Sequence, residues 1–127
     1  MATLTISQIA TVLGATAGGS KEYTGSLPIP LTETAVKNTT TTVFVGIDVS
    51  AVKALLMVAT RDLTVTPYNG ASAGTPIELV ANVPYVWTTD SYDSFLLAAD
   101  VTKFTLANAD VDNDATFSLS AVVDATP

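Results

Sequence analysis

The chain has 127 residues, 48% hydrophobic and only 13% charged, with 12 acidic against 5 basic side chains and a net charge of −7. That length fits one domain with ample material for a core, and the charged share is about half of that usual in globular domains. The five cations, Lys21, Lys37, Lys53, Arg61 and Lys103, are dispersed, which excludes a phosphate-binding patch for nucleic acid and disfavours an anionic membrane surface.

Cysteine and histidine are both absent. Disulfide and thiolate chemistry are therefore excluded, as are the commonest general base, metal ligand and pH switch. The residues after Met1 lack the basic start and apolar core of a secretory signal, and no apolar run approaches the ~20 residues of a membrane-spanning helix. With so few charges, the surface falls to Thr, Ser, Asn and small apolar groups. Two readings of that surface stand side by side: burial against other subunits, or a hydroxyl-rich β surface facing water.

In chain order, residues 1–15 are ambiguous. Ile6, Ile9 and Leu13 fall at helical spacing, with Thr5 and Gln8 placed as a capping box and Gly14 as a stop. Thr3, Thr5, Thr11 and Val12 favour a strand instead. The segment is read as an extended arm or first strand, with a short helix as the alternative. Gly18-Gly19-Ser20 reads as a turn or loop, and Tyr23 to Ile29 as a short strand. Pro28 and Pro30 belong at a sheet edge or crossover because they cannot donate to a ladder. The run Thr39 to Thr42 resists helix and suits a strand with one solvated face.

Val43, Val45, Ile47 and Val49 alternate, with Phe44 and Asp48 on the opposite face. After the link Ser50 to Lys53, the stretch Ala54–Trp87 predicts four strands. These are the all-apolar run Ala54 to Ala59, the alternating Leu63 to Thr66, Ile77 to Val80, and Val83 to Trp87, with a turn-rich loop over Pro67 to Gly74. A polar loop, Asp90 to Ser94, precedes the short apolar Phe95-Leu96-Leu97. A strand over Lys103 to Leu106, a turn over Asn108 to Asp114 and a last strand over Thr116 to Val123 complete the chain. The pattern predicts an all-β fold: an antiparallel β-sandwich, jelly-roll or Ig-like, of about eight or nine short strands. Its expected core is Leu56, Val58, Val65, Leu79, Trp87, Phe104, Phe117 and Leu119. The chain divides into residues 1–39, an N-terminal arm with the first strand or strands, and residues 40–127, the sandwich, within one domain overall.

Several residue sets invite a chemical reading. Asp110, Asp112 and Asp114, with Asn108 and Asn113 beside them, have the alternate spacing of calcium ligands. The full loop fails, however, because Ala115 stands where the tight-turn Gly belongs and Ala121 where the closing Glu belongs. Gly14, Gly19, Ser20 and Lys21 approach a phosphate loop, but the order Gly-Ser-Lys is wrong and a flexible turn is the better reading. Asp90 and Asp93 have the types of a glycosidase pair, although scattered surface carboxylates are far commoner. The serines have no histidine to activate them. Asn38-Thr39-Thr40 is a glycosylation acceptor that matters only in a secretory context. Tyr85, Trp87 and Tyr92 are aromatic faces suited to a sugar, but Val83, Tyr85 and Trp87 alternate as core residues of one sheet face do. No catalytic, cofactor-binding or metal-binding residue is assigned.

The central and C-terminal stretch carries a series of short pieces in order. These are Asp48-Val49-Ser50-Ala51-Val52-Lys53, Leu63-Thr64-Val65, Asn69-Gly70, Thr75-Pro76-Ile77-Glu78-Leu79, Pro84-Tyr85-Val86-Trp87 and Asp100-Val101-Thr102, with Asp124-Ala125-Thr126-Pro127 at the end. In order and spacing they resemble a group of small β-sandwich proteins encoded among the capsid genes of tailed bacteriophages. The resemblance spans residues 40–127; residues 1–39 share only a Thr/Gly-rich composition, and Thr60-Arg61-Asp62 departs from the Ser-Asp-rich turn of the pattern. It implies a non-enzymatic virion structural protein on the capsid surface, of the decoration or cement type, without cofactor. Its expected partners are the major capsid protein or other virion subunits, and further copies of itself, with a trimer favoured. Neither nucleic acid nor membrane is expected as a partner. Location on head or tail is left open. The alternative is a carbohydrate-binding or host-recognition module of a tail or fibre.

Overall fold

The structure, a computed structural model, describes residues 2–12, 15–25, 27–90 and 95–124, with side chains described for 29–90 and 95–124. The chain is all-β. Eleven strands follow one another: β1 (Ala2–Val12), β2 (Ala15–Gly25), β3 (Leu27–Ala35), β4 (Thr39–Ile47), β5 (Val52–Ala59), β6 (Leu63–Asn69), β7 (Ser72–Ala73), β8 (Ile77–Leu79), β9 (Tyr85–Thr88), β10 (Val101–Asn108) and β11 (Ala115–Val123). The only helical turn among the described residues is a 3-10 turn, Val49–Ala51, in the link where the sequence predicted a short connection.

Nine of the strands make the sandwich. One sheet has four strands in the order β3-β11-β5-β9; the other has five, β4-β10-β6-β7, with β8 also pairing β6. Every pairing is antiparallel. Most connections pass from one sheet to the other, so strands adjacent in sequence face each other across the core instead of lying side by side.

The core is what the alternation predicts wherever alternation exists. Phe117, Leu119, Ala121 and Val123 of β11 are all buried, and they meet Phe104 and Leu106 of β10 from the opposite sheet. Phe104 and Phe117 are tilted at 59° with centroids 6.2 Å apart, in the edge-to-face range that favours aromatic pairs. Val43 and Ile47 point inward from β4 and Phe44 outward, 78% exposed.

Two expected core residues lie on the wrong side. Leu56 and Val58 are only half-buried, while Leu55, Met57 and Ala59 are buried in the core. The run Ala54 to Ala59 has no polar residue to mark its outer face. Its side assignment comes instead from pairing with β11, which places Leu119 opposite Met57 and Phe117 opposite Ala59. Trp87 is half-buried at the core margin, and Val83, expected on the same face, is 55% exposed ahead of β9.

The loop expected over Pro67 to Gly74 is largely strand. β6 runs on to Asn69, and Gly70, at φ 62, turns the chain tightly into β7. Pro67 sits between the residues of β6 that pair β8 and those that pair β7, so its missing N–H costs no bond. Its carbonyl accepts the Gly74 N–H at 2.7 Å. A Cβ at Gly74 would come 3.1 Å from Pro67 Cγ, so this close approach suits glycine.

The first 25 residues hold the largest departure from expectation. β1 and β2 pair over their full length, Ala2 opposite Gly25 through Val12 opposite Ala15, as a two-stranded sheet. Gly18, Gly19 and Ser20 are therefore strand residues of β2, paired with Ile9, Gln8 and Ser7, and not a turn. Leu13 and Gly14, between the two strands in sequence, lie outside the described residues. The hairpin packs against β11, β5 and β3. Ala54 and Val122, opposite each other on the outer face of the four-stranded sheet, are buried without belonging to the core cluster. β3 itself, within residues 1–39, is an edge strand of the sandwich and carries Pro28 and Pro30 there.

Leu55→Ala should cost about 2–5 kcal/mol and Leu56→Ala clearly less, since only the first opens a core cavity. Urea unfolding of both variants checks the order, and a larger loss for Leu56→Ala would contradict the side assignment of β5.

Candidate functional site

Four sheet-crossing loops meet at one end of the sandwich: residues 36–38, 60–62, 80–84 and 109–114. Together they shape an open hollow of about 860 Å³ lined by Thr60, Arg61, Asp62, Asn82, Asp110 and Asp114, among others. It contains two of the three aspartates that the sequence placed at calcium spacing.

The carboxylates are engaged with the loops themselves. Asp110 Oδ1 accepts the backbone N–H groups of Asp112 at 2.9 Å and Asn113 at 3.0 Å. Asp114 Oδ1 accepts the Lys37 N–H at 2.9 Å, and Asp62 Oδ1 the Ala81 N–H at 2.8 Å. Thr60 and Thr116 exchange two bonds, one from each backbone N–H. Asn38 and Asn82 turn with positive φ, 50° and 62°, which asparagine tolerates better than most residues; the Asn38 N–H donates to Asp110 O and the Asn82 N–H to Ala59 O. Arg61 approaches Asp110 Oδ2 at 3.9 Å, a long and partly exposed pair of little energetic weight.

Beneath the hollow lies Asn108, 2% exposed at the end of β10. Its Nδ2 donates to Ala35 O at 3.1 Å and Asn113 O at 3.0 Å, and its Oδ1 accepts the Asp110 N–H at 3.0 Å. The asparagine that looked like a neighbouring ligand is a buried structural link. Its place on the core face of β10, two residues after Leu106, was the available signal. Among the described residues, no three His, Cys, Asp or Glu side chains converge to hold a metal ion. Of the aspartate series, Asp110 and Asp114 act as loop clamps.

The other candidate sets are separated or already occupied. Asp90 is exposed beyond β9, and Asp93 and Tyr92 lie outside the described residues. Gly19, Ser20 and Lys21 are in β2, with Gly14 outside the described residues. Trp87 stacks on Phe95 with centroids 4.1 Å apart and planes 10° from parallel, so one indole face is already covered. Tyr85 packs against the core and its hydroxyl accepts the Leu96 N–H at 3.2 Å. These aromatics close the core margin.

At the opposite end, residues of the phage-like pieces perform comparable work. Asp48 Oδ1 accepts the Ser50 N–H and hydroxyl, and Asp100 Oδ1 accepts the Val49 N–H at 3.0 Å. Thr102 Oγ1 accepts from Gly70 N and donates to Tyr68 O. Asp48, Asp100 and Thr102 each clamp a turn. No family model, curated protein or solved structure matches the chain.

The Asp110 carboxyl titrates below its ordinary value, chiefly through the Asp112 N–H, with desolvation opposing and with Asn113 and Arg61 helping. A depressed folded-state pKa contributes stability above the unfolded value and loses it as pH falls through the folded one. The stability advantage of wild type over Asp110→Asn should therefore be full at neutral pH and shrink below the ordinary carboxylate range. Urea unfolding across pH measures it; an advantage unchanged into strong acid would contradict the clamp.

Proposed function

We propose that the chain is a structural protein of a tailed-bacteriophage virion, which decorates or cements the capsid surface by burying its own surface against other subunits. The observation that carries this reading is the outer face of the four-stranded sheet. Its outward residues are Pro30, Thr32 and Thr34 on β3, Thr116, Ser118, Ser120 and Val122 on β11, Ala54, Leu56 and Val58 on β5, and Val86 and Thr88 on β9. None of these is charged, in a chain whose net charge is −7; the two charges of these strands, Glu33 and Lys53, fall on the edge strand opposite Phe117 and at the irregularity between Val52 and Ala54. The chain's own hairpin packs against part of this face; the part left exposed, with Thr32, Thr34 and Thr116, is uncharged as well, and depletion of charge marks the centre of protein interfaces.

The ordered series of phage-like pieces over residues 40–127 supports the same reading. The partners would be the major capsid protein or other virion subunits, and further copies of the chain. The hairpin of β1 and β2, which packs along β11, β5 and β3 of its own chain, would extend that face toward a neighbour. Its 11-residue strands extend roughly 36 Å at 3.3 Å per residue, shorter than a single extended arm of the same chain length.

Mass spectrometry and electron microscopy of purified virions test the reading. The chain is expected on the head exterior, in numbers commensurate with the capsid lattice; its absence from virions, or density confined to the tail, would overturn it. Removing residues 1–25 should leave the sandwich folded and abolish binding to capsids, as read by co-sedimentation. Normal binding by the shortened chain would remove the hairpin from the mechanism.

A further inference from the structure

The sandwich has four sheet edges, and three are blunted. β3 carries Pro28 and Pro30, β9 is 4 residues long, and the far edge of the five-stranded sheet is broken into the 2-residue β7 and the 3-residue β8. Prolines and short strands are the usual protections against edge-to-edge pairing. β4 is different. It is 9 residues long, Thr39–Ile47, reads TTTTVFVGI, and contains neither proline nor charge. It pairs only with β10, in unbroken register from Thr39 to Phe44. Its outward N–H and C=O groups have no ladder partner among the described residues. Phe44, the most exposed of the large hydrophobics, stands on this strand at 78% exposure.

We propose that the free edge of β4 pairs with the same edge of a second copy, antiparallel about a two-fold axis through Val43, joining the two five-stranded sheets into one. Three features point to a second copy as the occupant. An isologous contact must be self-complementary, and an uncharged strand meets its own copy without repulsion despite the net charge of −7. The charges flanking the strand match only in the antiparallel sense. Lys37 lies just before β4 and Asp48 just after it, so each end of the pair sets Lys37 of one copy near Asp48 of the other. A parallel pair would set like charges together. Finally, centring on Val43 places Phe44 opposite Thr42 of the second copy and diagonal to its Phe44, within aromatic reach on one face.

A ring of three would need β4 to pair with a different edge, and those are the blunted ones. The contact is therefore a dimer, in place of the trimer favoured from sequence. It does not rest on the capsid reading and is tested without capsids.

Sedimentation of the purified chain across a dilution series should give a monomer–dimer equilibrium. Phe44→Lys should weaken association at least about tenfold with an unchanged far-ultraviolet spectrum, because the side chain is outside the core. Lys37→Glu should also weaken it, more at low salt, where charge pairs are least screened. Hydrogen exchange on the wild type covers the case of a misfolded variant: β4 amides should gain protection as concentration rises. A wild type that stays monomeric or forms trimers, variants that dimerise like the wild type, or β4 protection independent of concentration would each overturn the proposal.

Discussion

The amide of Asn108 is the interaction on which the rest of this sandwich depends. It ends β10, the strand between β4 and β6, and it donates to Ala35, the last residue of β3 in the opposite sheet. Its other two bonds hold Asp110 and Asn113 in the loop that carries the chain into β11, the strand between β3 and β5. Ala35 is wholly buried, so without the amide its carbonyl would lose a partner that water cannot readily replace. One side chain thus fixes where the central strand of each sheet begins or ends. The apolar contacts between the sheets, Phe104 against Phe117 above all, then follow in register.

The low charge of the chain has a structural counterpart. Aspartates and threonines that another protein would leave in water are here tied to backbone N–H groups: Asp48, Asp62, Asp100, Asp110 and Asp114 each accept one or more. The acidic excess is concentrated in turns, where it replaces the hydrogen bonds that a non-repeating backbone lacks. The strands carry few charges, Glu33, Lys53, Glu78 and Lys103 among the residues whose side chains are described, and are otherwise largely threonine, serine and apolar groups.

Much of the fold was legible where polar and apolar residues alternate. Thr116 to Val123 and Val43 to Ile47 declared both their strand character and their inner face, because a period of two leaves only one way to bury the apolar set. Ala54 to Ala59 declared a strand but not its face, since every residue is apolar and only the neighbouring β11 decides. The hairpin of β1 and β2 was obscured by Gly18-Gly19-Ser20, which local propensity reads as a turn; pairing along eleven residues overrides that preference. At the loop end, the aspartate spacing was visible but its meaning was not. Sequence spacing cannot distinguish oxygens that converge on an ion from oxygens that each face a backbone N–H. Asn108 was the readable exception, a polar residue in phase with Phe104 and Leu106.

The most direct test of this account is the equilibrium unfolding of Asn108→Ala in urea, followed by Trp87 fluorescence from the four-stranded sheet and by far-ultraviolet dichroism. Stranding a buried carbonyl and releasing the loop should cost about 2–4 kcal/mol, with both signals falling in one transition. A loss under about 0.5 kcal/mol, within the range of an ordinary surface substitution, would contradict the claim that this amide locks the two sheets together.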